Sequence, residues 1–171
     1  MSRRSNILLA LAVIAVAAGV AGLVVLEQSR ERQASEAEDL LSTGVRLFEE
    51  KQYEEALGVL ERVPPGSPQE ARAWYYRGSV YMMQEDYETA AHFLEHSLAL
   101  DNRNTGTLYA LGVAWYKLGK LKLARSYFAA VLEIDPNDEH AKGLMDIMTN
   151  LDRESAGSSE PSTGTAVAED D

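Results

Sequence analysis

A period of 34 residues runs through the middle of the chain and constrains its fold more than any other feature. Gly44, Gly78 and Gly112 are spaced 34 residues apart. Three further series keep the same step, namely Ala56, Ala90 and Ala124; Tyr53, Tyr87 and Leu121; and Leu40, Trp74 and Leu108. Coincident series of this kind indicate one supersecondary unit that is copied and stacked along the chain.

Each unit has the pattern of two helices. In the third unit, one apolar stripe runs from about residue 105 to 118 at helical spacing, through Leu108, Leu111, Trp115 and Leu118. Gly119 interrupts that helix, and a second one is predicted from about residue 122 until Pro136, because proline cannot continue a helix. Gly112 and Ala124 are small, so the two backbones can approach closely where the helices cross.

These residues resemble the tetratricopeptide repeat (TPR). The third unit matches its pattern closely, through Leu108, Leu111, Gly112, Trp115, Ala124, Phe128, Val131 and Pro136. The second unit departs at Arg77, where the pattern has leucine, and at Asn102, where it has proline. The first unit departs at Thr43 and at Pro64-Pro65, which predict a shortened second helix.

The resemblance implies an all-α fold, a short right-handed TPR solenoid of three helix-turn-helix repeats. The expected repeats cover residues 37–70, 71–104 and 105–138. An apolar face on residues 139–152 predicts a capping helix, which a terminal repeat needs to cover its exposed side. Residues 153–171 are acidic and poor in large apolar side chains, and we expect a disordered tail there.

The N-terminal part predicts one transmembrane helix before the solenoid. Residues 7–26 carry no charge over twenty positions, about the length that crosses a bilayer. Arg3 and Arg4 favour residues 1–6 on the cytoplasmic side, which puts the repeats on the periplasmic side of an inner membrane, joined by a linker at residues 27–36. A cleaved signal peptide is the alternative, because small residues precede possible cleavage sites after Ala17 and Ala21.

Composition and motifs argue against catalysis and nucleic-acid binding. The formal net charge of −11 repels phosphate, and the absence of cysteine excludes thiol chemistry and thiolate metal sites. No nucleophile elbow, phosphate-binding glycine loop or HExxH motif is present, so we expect no enzyme and no cofactor. His92 and His96, four residues apart after Glu88, are a weak candidate for metal ligands, and we expect no metal there because the repeat register turns them outward.

The candidate site is a groove for another protein. In the family, the first helices of successive repeats line a concave surface, and the register assigns to it Leu41, Val45, Phe48, Tyr75, Ser79, Met82, Tyr109, Val113 and Tyr116. This apolar, aromatic lining suits an extended peptide or an amphipathic helix. It lacks the lysine, arginine and asparagine set with which some relatives grip a terminal carboxylate. The alternative is that the linker or the capping helix covers the groove.

These expectations together predict a membrane-anchored adaptor or scaffold. Its groove would bind segments of other envelope proteins, in the membrane or the periplasm, during complex assembly, export or maturation. Two alternatives stay open. One is a cleaved, soluble periplasmic or secreted protein that self-associates, and the other is a membrane receptor whose repeats face the cytosol.

Overall fold

The computed structural model describes residues 3–157, and the side chains of residues 19–154. Its regular structure consists of helices and confirms the all-α prediction. The helices are α1 (Arg3–Glu49), α2 (Tyr53–Leu60), α3 (Glu70–Met83), α4 (Tyr87–Leu100), α5 (Thr105–Lys117), α6 (Leu121–Ile134) and α7 (Glu139–Gly157). The end of α1 pairs with α2, α3 with α4 and α5 with α6, and each pair packs on the next.

The turn inside each pair has the same conformation in all three repeats. Lys51, Glu85 and Gly119, at equivalent positions, have φ values of 62°, 60° and 71°. The next residue donates its backbone N–H to the carbonyl five positions earlier, as Asp86 does to Tyr81 at 3.0 Å. This is the Schellman closure, which satisfies carbonyl groups at a helix end and reverses the chain sharply.

Close contact between the paired helices depends on the three glycines that set the period. A methyl group built on Gly112 would lie 2.6 Å from Cε1 of Phe128, and one on Gly78 would lie 2.7 Å from Cγ of Leu94. The equivalent contact at Gly44 is with Leu60. Leu60, Leu94 and Phe128 are each almost fully buried. The glycines therefore make room for the largest core side chain of each second helix.

Helix α2 is short, as the two prolines predict. It has 8 residues, whereas α4 and α6 each have 14. Pro64 and Pro65 follow soon after its last residue, and neither has a backbone N–H to extend the helix.

Helix α7 caps the end of the stack. Ala141 and Met148 are fully buried and belong to the core cluster around Phe128. Arg125 on α6 adds polar contacts, because its Nη2 donates to the carbonyl of Met148 and pairs with the carboxylate of Asp152, both at 2.6 Å. The helix continues to Gly157, five residues beyond the predicted end of the cap. The remainder of the predicted tail, residues 158–171, lies outside the described residues.

Helix α1 is continuous over 47 residues and includes three predicted segments. The predicted linker at residues 27–36 is helical, and neither glycine nor proline interrupts the sequence between residues 27 and 43. Of the predicted span at residues 7–26, the side chains of residues 7–18 lie outside the described part. Within the described residues, none of the helices is long and apolar enough to traverse a membrane.

Candidate protein-binding groove

Helices α1, α3 and α5, the first helix of each repeat, together form one open cavity of about 300 Å³. We call it the central cavity. It is lined by aromatic, aliphatic and small polar side chains without a formal charge, which are Phe48, Tyr75, Tyr76, Ser79, Met82, Met83, Tyr109, Ala110 and Val113. A lining of this composition can accommodate apolar side chains of a ligand and offers tyrosine hydroxyls at its edge.

Six of the nine predicted groove residues line this cavity: Phe48, Tyr75, Ser79, Met82, Tyr109 and Val113. Leu41 does not, because it is 0% exposed and lies in the core cluster of the first repeat. Val45 packs against the same cluster, and Tyr116 packs, half-buried, against the cluster around Phe128. The repeat register assigns Leu41 to the groove, but the structure places it in the core, where its side chain cannot reach a ligand.

Tyr76 and Ala110 also line the central cavity, although the repeat register does not assign them to the groove. The Tyr76 ring lies edge-on to its neighbours, with ring centroids 5.8 Å from Phe48 and 5.2 Å from Tyr75. Two adjacent tyrosines on α3 are the sequence signal for this cluster. Together with Phe48, they join the first repeat to the second across the cavity.

A second cavity, of about 230 Å³, adjoins the first and shares Tyr75, Tyr109 and Ala110 with it. We call it the end cavity. Its other lining residues come from the start of α5 and from the beginning of the cap, and they are Thr105, Gly106, Asp138 and His140. The repeat register does not assign Asp138 and His140 to the groove, because they follow the last repeat helix.

Tyr109 lies between the two cavities. Its ring lies edge-on to Phe128 of the core, at a centroid distance of 5.6 Å, and also edge-on to His140, at 6.4 Å. Burial raises the pKa of Tyr109, and the negative charge of Asp138 raises it further. Both effects favour the neutral phenol, whose hydroxyl can donate a hydrogen bond.

Nothing in the described part of the chain closes the groove. Residues 27–36 extend along α1 with exposed side chains, apart from the half-buried Ala34. Helix α7 packs against α6, and only its beginning reaches the end cavity. Met83 on the rim of the central cavity is more than half exposed. Within the described residues, the groove is thus open to solvent.

The two candidate metal ligands belong to an aromatic cluster of the second repeat that lines neither cavity. The His92 and His96 rings lie 4.8 Å apart at nearly a right angle, and His96 stacks on Trp74 at 4.7 Å. The described residues contain no group of three or more histidine, cysteine, aspartate or glutamate side chains that could hold a metal ion.

The same cluster accounts for the unusual Arg77. Its guanidinium carbon lies 4.4 Å from the ring centre of Trp74 and 4.5 Å from that of Phe93. Stacked cations of this kind are attracted by the ring faces. The arginine therefore occupies the place of the pattern's leucine, with its guanidinium group packed against two neighbouring aromatic rings.

Comparison with known proteins agrees with this geometry. Two family models, both described as tetratricopeptide repeat, match residues 47–105 and 81–146, which together are more than half of the chain. A curated relative, the DnaJ homolog subfamily C member 7 homolog of Schizosaccharomyces pombe, is 30% identical over 129 residues. That alignment covers 73% of this chain and 27% of the relative, so the chain corresponds to about a quarter of that protein.

Solved TPR domains have the same fold. The first TPR of Spaghetti (RPAP3) bound to the HSP90 peptide SRMEEVD has a TM-score of 0.65 at 22% identity, covering 70% of this chain and 95% of that one. The second TPR domain of human RPAP3 in complex with the HSP70 peptide SGPTIEEVD has a TM-score of 0.61 at 25% identity, covering 70% and 98%. The chain therefore belongs to the tetratricopeptide-repeat family, whose domains are protein–protein interaction modules.

Proposed function

We propose that the chain binds a segment of another protein in the groove formed by α1, α3 and α5. The observation that carries this proposal is the central cavity, which is apolar, aromatic and open to solvent between three successive repeats. Exposed apolar patches on soluble domains usually mark interaction sites. Tyrosine offers a polar tip on an apolar ring, and methionine repacks easily around irregular shapes.

The residues that line the groove indicate which kind of segment it can bind. Neither cavity is lined by lysine or arginine. An acidic peptide end, such as those named for the two RPAP3 structures, would find neither lysine nor arginine to pair with there. The proposed ligand is instead a segment with apolar side chains, either extended or an amphipathic helix that presents one apolar face.

Site-specific photo-crosslinking in cells tests the groove. A photoreactive phenylalanine analogue is placed at Tyr109 or Met82, and, as a matched control, at Leu123, an exposed apolar residue that lines neither cavity. We expect a discrete protein adduct from the groove positions that is absent at Leu123 and weakened by Tyr75→Ala. Equal adducts from Leu123, or a yield that Tyr75→Ala leaves unchanged, would contradict the proposal.

We further propose that residues 7–26 anchor the chain in a membrane. The support is the run of twenty uncharged residues. In the described part of that run, Val20, Leu23, Val24, Val25 and Leu26 are each more than half exposed and packed against nothing that would keep water away. Residues 27–36 would form a helical stalk of about 15 Å, at 1.5 Å per residue. Anchoring raises the effective concentration of the groove toward other membrane proteins.

The proposed location is an inner membrane with the repeats on the periplasmic side, where the partners would be membrane or periplasmic proteins. Carbonate extraction of the full chain and of a chain lacking residues 1–26 tests the anchor, and we expect that only the full chain stays with the membrane. Protease digestion of a C-terminal tag in spheroplasts tests the side. Tag protection would favour the cytosol-facing receptor, and a mature chain that begins after Ala17 or Ala21 would favour the cleaved, self-associating form.

A further inference from the structure

The two cavities of the groove differ in charge. The central cavity is lined without a charged side chain, whereas the end cavity contains the carboxylate of Asp138. The two are continuous through Tyr75, Tyr109 and Ala110. A ligand segment that fills both cavities therefore contacts an uncharged surface in the central cavity and a negative charge in the end cavity.

One oxygen of the Asp138 carboxylate is available to a ligand. Oδ1 accepts a hydrogen bond from the backbone N–H of Ala141 at 2.8 Å and so caps the N-terminus of α7. Oδ2 has no hydrogen-bond partner within residues 19–154. The neighbouring Glu139 differs, because its carboxylate is exposed and pairs with Lys142 at 2.9 Å. Asp138, which lines the end cavity, is thus held in place by the cap through one of its two carboxylate oxygens.

The tyrosines beside Asp138 also favour a positively charged group of the ligand. Tyr75 and Tyr109 both line the end cavity, and the faces of aromatic rings attract cations. The charge of Asp138 acts at this place, since it contributes to the raised pKa of Tyr109. Besides Asp138 and the two tyrosines, the lining contains one more titratable side chain, His140, and neither lysine nor arginine.

We propose that the groove selects a segment that carries an arginine or lysine next to its apolar side chains, with the cation in the end cavity between Asp138, Tyr75 and Tyr109. This inference rests on the proposed function, because it assumes that the groove is the binding site. Complementary charge at one end fixes the direction in which the segment lies and excludes segments with an acidic residue at that place.

The test is a cycle of binding affinities on the full chain in detergent. The probes are fluorescein-labelled 12-residue peptides with leucine, phenylalanine and alanine on one helical face, each made with arginine, citrulline or glutamate at one end. Citrulline keeps the shape of arginine and removes its charge. The protein variant is Asp138→Asn, which retains an oxygen to cap α7, and the matched control is Glu139→Gln, which removes a nearby charge outside the cavity.

We expect the arginine peptides to bind the parent about tenfold more tightly than the citrulline peptides, the scale of one charge-assisted hydrogen bond. Asp138→Asn should bring that ratio close to one, and Glu139→Gln should leave it unchanged. Glutamate peptides that bind as tightly as arginine peptides, or an Asp138→Asn variant that weakens all three versions equally, would overturn the charge inference and leave the groove standing. Failure of every peptide to bind at millimolar concentration would overturn the groove proposal together with it.

Discussion

At the scale of single residues, the glycines that repeat every 34 positions are required because a large side chain lies opposite each of them and leaves no room for a Cβ. Replacing Gly112 by alanine would place the new methyl group 2.6 Å from Phe128, a fully buried ring. Overpacking of this kind costs about 1–3 kcal/mol, more than the roughly 1 kcal/mol of helix propensity that alanine adds. We expect Gly112→Ala to lower the free energy of unfolding by about 1–2 kcal/mol in urea denaturation.

Gly58 provides the matched control. It lies inside α2, and a methyl group built on it meets no atom within 4 Å. Gly58→Ala should therefore raise the free energy of unfolding by about 0.5–1 kcal/mol through helix propensity alone. Equal effects of the two substitutions would show that the contact with Phe128 does not decide the choice of glycine.

Arg77 is a second residue whose chemistry the structure makes testable. Burial lowers the pKa of its guanidinium, and its Nε is buried without a hydrogen-bond partner among the described side chains. Arg77→Ala removes the packing on Trp74 and Phe93 and should lower the free energy of unfolding by about 1 kcal/mol. Arg77→Leu refills the space with an apolar side chain and removes the unpaired Nε, so thermal melting should show it to be at least as stable as the parent.

The result that would contradict this account is an Arg77→Leu variant that melts as low as Arg77→Ala. That outcome would mean that the cation itself, and not the volume that the side chain fills, stabilises the second repeat.

At the scale of the elements, the turns between paired helices share one backbone conformation, but a different residue occupies the left-handed position in each repeat. Lys51 and Glu85 have the left-handed φ that Gly119 adopts in the third repeat. A residue with a Cβ is strained there by about 1–2 kcal/mol. Glycine relieves this strain, but part of the gain is offset because glycine also raises the conformational entropy of the unfolded chain. We expect Glu85→Gly to raise the free energy of unfolding by about 0.5–1 kcal/mol, measured by urea denaturation.

The reverse substitution is the control for the turn. Gly119→Ala puts a Cβ into the same conformation and should destabilise the protein by a similar amount. If Glu85→Gly instead destabilised the protein, the side chain of Glu85 would have to make a contact that outweighs the strain at its backbone.

Helix pairs and their turns could largely be predicted from the sequence, because they depend on local signals. The 34-residue step, the interruption at Gly119 and the prolines after α2 each act on the backbone close to where they stand. The continuity of α1 was not predicted. The charged segment between the apolar run and the first repeat has the pattern of a linker, but no residue between 27 and 43 stops a helix.

At the scale of the whole molecule, the groove was predicted only in part, because a repeat register gives the direction of a side chain and not what covers it. Leu41, Tyr75 and Tyr109 occupy the same repeat position. Leu41 is short and enclosed in the first core cluster, whereas the two tyrosine rings extend into the cavities. Asp138 and His140 join the groove because the cap follows α6 directly, a proximity that no single repeat encodes.

The stacked order of the helices also determines how far a local defect spreads. In a linear stack each repeat is stabilised mainly by its neighbours, so a destabilising substitution at one end lowers the local stability most at that end. Met148 on α7 is 0% exposed and packs in the cluster around Phe128. Met148→Ala should cost about 2–4 kcal/mol, and hydrogen exchange should show the largest loss of protection in α6 and α7, with α2 and α3 affected least.

Ile147 next to it supplies the comparison, because it is 48% exposed on the same helix. Ile147→Ala truncates a side chain that is about half exposed, so its cost should stay below about 1 kcal/mol with exchange unchanged in α6. If Met148→Ala lowered protection evenly from α1 to α7, the stack would unfold as one cooperative unit, and the cap would stabilise the distant first repeat as strongly as the helix it touches.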